Sequence, residues 1–203
     1  MTYESLVLCQ RTVDLDFDYL KELRMQNFRS EEEKMSIAVV LVMHGIPPRD
    51  FPKGEMMELF GLHHRLLQAS ESERVALRNR HDVLEEKMRN WPRTPENDPF
   101  HAASLEIAHA LKEILGTDVI VGFNEFCTPT IEEAIGEAAS RSPEKIIVTT
   151  PMMTRGGEHS EKDIPEAINR AQKLYPDMEI VYAWPYNISD VTGFLAGHIK
   201  RFE

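Results

Sequence analysis

Cysteine is nearly missing from this chain of 203 residues: Cys9 and Cys127 are the only two. So few sulfurs exclude a disulfide framework, and the expected compartment is a reducing cytoplasm. No apolar run approaches the roughly 18–20 residues that span a bilayer, so no membrane partner is expected. The N-terminus, MTYESLVLCQRTVDLDFDYLKEL, carries acids where a signal or transit peptide carries Lys or Arg. Positive charge is scarce as well, with 23 Lys and Arg against 34 Asp and Glu and a formal net charge of −11. Without a dense basic stripe, nucleic acid and anionic membrane surfaces are poor partners. An acidic small molecule would need a local cationic patch working against the overall field.

What is present suits one α/β domain with decoration. The length is generous for a single core and short for two. Four short β-rich apolar runs stand out: Ile37–Met43, Val119–Phe123, Lys145–Thr150 and Glu179–Tyr182. Segments of helical period separate them. This alternation predicts an open parallel sheet of about four strands with helices on both faces. Asp98-Pro99 and Thr128-Pro129 each place a capping side chain before a proline, and Asp163 with Pro165 repeats the idea.

Far more chain separates the first two strands than one crossover helix requires. Residues 54–97 read as a helical insertion after strand 1, in which ESERVALRNRHDVLEEKMRN is an exposed helix laced with ion pairs. An independent helical domain is the alternative. Residues 1–35 form a separable N-terminal extension, so the α/β domain itself is expected over 36–203. The extension is an added arm, a dimer element or a partly disordered segment.

Three metal-ligating side chains fall at successive strand ends. His44 follows IAVVLVM, Glu125 follows VIVGFN, and His159 lies in TRGGEHS after KIIVTTPMM. Open α/β sheets place their sites in the crevice beyond those carboxyl ends, so the three converge. Two imidazoles and one carboxylate suit divalent Co, Ni, Fe or Zn and leave coordination positions open. Gly45 permits a sharp turn after His44, and Gly156-Gly157 lets the His159 loop approach a flat ligand. Taken singly, each residue also has a plain structural reading, Glu125 as a helix cap among them. His63 and His64 point about 100° apart on a helix and cannot share an ion. His81 and Glu85 read as an ordinary exposed pair, and Cys127 as a small buried thiol.

The strings HG after the first strand, GFNEFCTPTIEEAI and IIVTTPMMTRGGEHSEKDIPEAI, followed by PDMEIVYAWP, resemble the sirohydrochlorin chelatases of the class II chelatase family. The resemblance runs from about Met35 to Phe202, interrupted by the insertion, and is most specific at Gly157–Pro165. It implies insertion of Co²⁺, Ni²⁺ or Fe²⁺ into a tetrapyrrole of cobalamin, sirohaem or F430 synthesis. In that reading His44 and His159 hold the metal beside the macrocycle, Glu125 is the matching acid, and no organic cofactor is needed. The insertion, and Met152-Met153-Thr154-Arg155 before the glycines, depart from the short members of the family.

His44 and His159 would present the ion to one face of the ring while one of them also collects a pyrrole proton, with Glu125 ligating or orienting a histidine and taking up a proton in turn. Arg49, Lys53, Arg155 and Lys162 flank the histidine loops as candidate partners for substrate carboxylates, alongside Gly156 and Gly157. A non-catalytic tetrapyrrole or metal carrier and a metal-assisted hydrolase are the rival readings. Short family members pair, so a homodimer is expected. Its surface would be the extension or the insertion's apolar stripe, Met56, Met57, Leu59, Phe60, Leu62, Leu66 and Leu67, unless that stripe packs on its own sheet.

Overall fold

The run of Ile37, Val39, Val40 and Val42 favours extended backbone, since two heavy atoms on Cβ pack well on a pleated surface. In the computed structural model, which describes residues 36–203, these residues form β1 (Ile37–Met43), and every residue after Ile37 in that strand is buried. β2 (Asp118–Phe123), β3 (Lys145–Thr149) and β4 (Glu179–Tyr182) complete a four-stranded sheet in the order β2-β1-β3-β4. All pairings are parallel, with Val40 opposite both Ile120 and Val148. β1 is thus a central strand covered on both faces, as its unbroken apolar run requires. The expected N-terminal extension, 1–35, lies outside the described residues.

Six helices surround the sheet among the described residues: α1 (Lys53–Gln68), α2 (Glu71–Arg89), α3 (Pro99–Leu115), α4 (Ile131–Ser140), α5 (Ile164–Leu174) and α6 (Ile188–Ile199). One sheet face carries α4 and α5, which bury Ile131, Ala134, Ile135, Ile164, Ala167 and Ala171 against Val40, Val42 and Val148. On the other face Ala108 of α3 joins Leu41, Met43, Val121 and Phe123. Each large aliphatic side chain removed from water in these clusters contributes about 1.5–3 kcal/mol.

The helix starts show where local reading holds and where it slips. Asp98 caps α3 as its sequence suggests, accepting from the backbone N–H of His101 at 2.9 Å. Thr128-Pro129 does not start α4. That peptide bond is cis, and the cap is Thr130 in a reciprocal capping box with Glu133. The later start wins because Thr130 and Glu133 each satisfy a backbone N–H of the first turn. Asp163 caps nothing either, because its carboxylate is committed to the candidate centre.

Residues of the insertion form a helix pair with its own small core. Leu59 and Leu62 of α1 meet Leu84 and Met88 of α2, with Phe51 beneath. The apolar stripe of α1 is therefore used mainly against α2 and not on the sheet, while Met57 and Phe60 are exposed. The side chain of Leu67 is outside the described set. Ion pairs between Arg80 and Glu58 at 2.7 Å and between Lys87 and Glu55 at 2.6 Å tie the two helices together.

Arg93, which follows α2, welds the insertion to the sheet. Its guanidinium donates to Asp98 at 2.6 Å and to the carbonyls of Ile46 and Met88, both at 2.9 Å, and it also bonds the Phe126 carbonyl. Those carbonyls belong to the loop after β1, the end of α2 and the loop after β2. One buried side chain thus sets the positions of three segments that meet at the candidate site.

Candidate metal centre

Parallel pairing of β1 with β2 continues past the strand ends. Asn124 N–H donates to the Met43 carbonyl at 2.9 Å and Glu125 N–H to the His44 carbonyl at 2.8 Å. This extra ladder puts His44 and Glu125 side by side. Gly45 makes the approach possible, with φ at 87°, and a Cβ built there would lie 2.0 Å from the Glu125 carbonyl oxygen. The Glu125 loop then turns tightly through Phe126, whose φ is 57°, with Cys127 N–H bonded to the Glu125 carbonyl at 2.7 Å. A side-chain-bearing residue in that region is strained, and such strain persists only where the surroundings over-determine it. Here Arg93 grips the Phe126 carbonyl, Arg89 of α2 donates to the carbonyls of Asn124 and Cys127, and Phe60 packs edge-on against the Phe126 ring.

The third ligand comes from a wide π-helical turn, His159–Asp163, which leads into α5. Buried Ser160 anchors it, its carbonyl accepting from the Tyr182 hydroxyl at 3.1 Å. Burial and the neighbouring Tyr186 push the Tyr182 phenol up to about 12, so it remains a donor at neutral pH. The turn delivers His159 to His44 with ring centroids 4.6 Å apart and planes at 88°. His44, Glu125 and His159 offer ligand atoms that all lie within 4.8 Å of one another.

Hydrogen-bond chemistry sets the tautomers. Nδ1 of His44 lies 2.6 Å from the Gly45 carbonyl, which can only accept, so Nδ1 carries the proton. Nδ1 of His159 lies 2.6 Å from Oδ2 of Asp163, an acceptor-only carboxylate, with the same result. Asn124 sits beside both groups, its amide nitrogen 2.8 Å from His159 Nδ1 and 3.4 Å from the Asp163 carboxylate. With Nδ1 of His159 donating to Asp163 and not accepting from Asn124, both Nε2 atoms keep a lone pair in the neutral rings. The lone pair of His44 faces Oε2 of Glu125 at 3.9 Å. Two acceptors facing each other repel unless a cation stands between them. The side chains of His44 and Glu125 are 41% and 37% exposed, so an ion can enter and leave.

Asp163 and Asn124 are residues of the candidate centre whose place there sequence reading passed over. The signal for Asp163 was its position four residues after His159, a spacing that brings side chains together on a helical turn. Asn124 had none, since only the long-range meeting of the loop with the π turn gives it a role. Cys127 is buried as expected, and burial raises its thiol pKa. The expected substrate-binding residues lie nearby but are not equally placed. Arg155, Gly156 and Gly157 are exposed just ahead of the π turn, with Gly156 N–H held by Glu161 at 2.7 Å. Lys162 is paired with Glu158, Lys53 opens α1, and Arg49 turns to the Glu96 carbonyl at 3.5 Å.

The family model described as CbiX matches residues 96–191, which include Glu125, His159 and Asp163. A sirohydrochlorin ferrochelatase of Priestia megaterium is 29% identical over 70 residues, 34% of this chain and 26% of that protein. A sirohydrochlorin cobaltochelatase of Methanopyrus kandleri is 36% identical over 64 residues, 31% of this chain and 44% of that protein. The matches thus span less than half the length of either relative. Among solved structures, the sirohydrochlorin chelatase SirB from Bacillus subtilis subspecies spizizenii in complex with cobalt is 20% identical, with a TM-score of 0.37, covering 74% of this chain and 44% of that one. His44 and the insertion lie outside the CbiX-matched segment, so their part in the centre rests on geometry.

Proposed function

We propose that this protein is a metal chelatase that inserts a divalent ion, Co²⁺, Ni²⁺ or Fe²⁺, into sirohydrochlorin in the cytoplasm. The observation that carries the reading is the convergence of the two imidazoles with Glu125 on one open point. The ion is substrate, not resident cofactor, and no organic group is required. Borderline divalent ions match an N₂O donor set, and partial exposure lets the site hand its ion on. Asp163 holds His159 in place, as a carboxylate behind a metal-ligating histidine does.

Insertion also removes two pyrrole protons. In the proposed sequence His44 and His159 present the ion to one face of the macrocycle. As the ion leaves, a vacated Nε2 accepts a pyrrole proton, and the His159–Asp163 pair stabilises the imidazolium that results. Arg155 and the Gly156-Gly157 turn support the approach of a flat, carboxylate-rich ring on the side of the π turn. Mixing the full chain with Co²⁺ and metal-free sirohydrochlorin and following the absorption spectrum tests the reading. Many turnovers per chain are expected. Stoichiometric binding without turnover would make the protein a carrier and overturn the enzymatic assignment.

The protein is further proposed to work as a homodimer. Support comes from α6, twelve residues long with none buried, which presents Ile188 at 73%, Phe194 at 61% and Leu195 at 48% exposure. A helix this short is marginal without packing, and two-fold pairing is the commonest way to cover such a face. Light scattering is expected to give a dimer for the wild type and a monomer for Phe194→Glu. A monomeric wild type, or a variant that still pairs, would remove the idea.

A further inference from the structure

A cavity of about 890 Å³ opens between the insertion helices α1 and α2 and the helices α4 and α5 of the sheet domain. Its floor includes Glu125 and Asp163, so it leads to the candidate centre. Eight carboxylates line it against two arginines, and both arginines are already paired, Arg89 with Glu85 at 3.0 Å and Arg170 with Glu132 at 2.7 Å. A low-dielectric cleft with that imbalance concentrates divalent cations and repels a polycarboxylate. The cavity therefore fits the metal side of the reaction and not the tetrapyrrole side.

A second cluster of ligating side chains stands on its far wall. His81, Asp82 and Glu85 of α2 each offer a ligand atom, all within 4.8 Å of one another. Although successive helix residues point about 100° apart, the Asp82 side chain turns back, so that Asp82 Oδ1 lies 3.2 Å and Glu85 Oε2 3.6 Å from the same atom, His81 Nδ1. A single N–H on that nitrogen satisfies one carboxylate and leaves the other facing it without a proton. A metal ion would satisfy all three groups. Glu85 can serve both roles, because Arg89 takes Oε1 and leaves Oε2 free. From α1 the ring of His63 faces His81 with centroids 5.8 Å apart. His81 is mostly buried, its side chain 14% exposed, so the histidine is held at the cavity wall and does not sweep solvent.

We infer that His81, Asp82 and Glu85, assisted by His63, form a second divalent-metal site on the insertion, which loads ions into the cavity leading to His44, Glu125 and His159. The binding site stands on its own geometry, and only its loading role rests on the chelatase reading. The insertion brings two imidazoles and acidic groups to the approach of the centre, and the cation it adds to the cavity lining, Arg89, is paired with Glu85.

Equilibrium dialysis of the full chain with Co²⁺ tests the site. The wild type is expected to bind two equivalents and the His44→Ala/His159→Ala variant one. Adding His81→Gln and Glu85→Gln to that variant is expected to remove the remaining equivalent. His81→Gln alone, which changes least, is expected to weaken that equivalent by at least about tenfold. If the His44→Ala/His159→Ala variant binds no Co²⁺, or keeps its equivalent after the two glutamine substitutions, the second site does not exist. Failure of the chelatase reading looks different: no turnover with sirohydrochlorin, with both equivalents still bound.

Discussion

Replacing His159 with alanine is expected to slow metal insertion by roughly 10²–10⁴-fold, the range spanned by loss of a positioned acid–base group. In the proposed mechanism the residue supplies a ligating Nε2, and its ring is the one held by a carboxylate, with Nδ1 2.6 Å from Asp163. Stability should change little, because the side chain sits partly exposed at a turn held elsewhere by Ser160 and Tyr182. Asp163→Asn isolates the positioning role. The amide keeps an acceptor near Nδ1 but loses the charge, and metal affinity is expected to fall about 10–100-fold while the ligands remain. Measured turnover of the His159→Ala protein within a few-fold of wild type would sink the proposed centre. An Asp163→Asn protein with unchanged Co²⁺ affinity would confine Asp163 to holding the π turn.

Arg93→Ala is expected to be the most destabilising single substitution outside the main core. Its ion pair with Asp98 is nearly inaccessible, the two side chains being 6% and 1% exposed. Removing one partner of a buried pair leaves the other charge uncompensated, which costs about 3–5 kcal/mol. At this chain length each kcal/mol lowers Tm by roughly 2–4 °C, so a fall of about 6–20 °C is expected. Four backbone carbonyls, those of Ile46, Met88, Trp91 and Phe126, also lose their donor, and with them the restraint on the strained Phe126 turn that presents Glu125. Co²⁺ affinity is therefore expected to fall together with Tm. Arg93→Lys should rescue little, since one ammonium cannot serve carbonyls spread around a planar fork. A thermal midpoint within a degree or two of wild type would show that the insertion and the loops hold their places without Arg93.

Chain-local features carried much of this protein's description. Unbroken β-branched runs specify buried parallel strands, because a strand covered on both faces has no solvent side on which to alternate. Strand-end positions for His44, Glu125 and His159 then follow from the topology of open parallel sheets. Capping was readable wherever one residue satisfies its own helix, as at Asp98, and misread at Thr128-Pro129, where the true cap competes from two residues on. The stripe on α1 was visible as amphipathic, but its partner was not, since periodicity names a buried face and not what buries it.

Tertiary structure decided everything that depends on two distant segments meeting. Asp163 had an available local role as a cap, and only the approach of the π turn to Asn124 and His44 shows it behind His159. His81 and Glu85 looked like a solvated ion pair on an isolated helix. Packing α2 against α1 brings His63 to them, and the closure of α4 and α5 turns that surface into the wall of an acidic cavity. Residue types and strand ends are properties of the chain itself, so sequence alone determined which chemistry was available and at which edge of the sheet. Which lone pairs are free, which carboxylates orient and which attract, depends on contacts across tens of residues, and those exist only once the chain has folded.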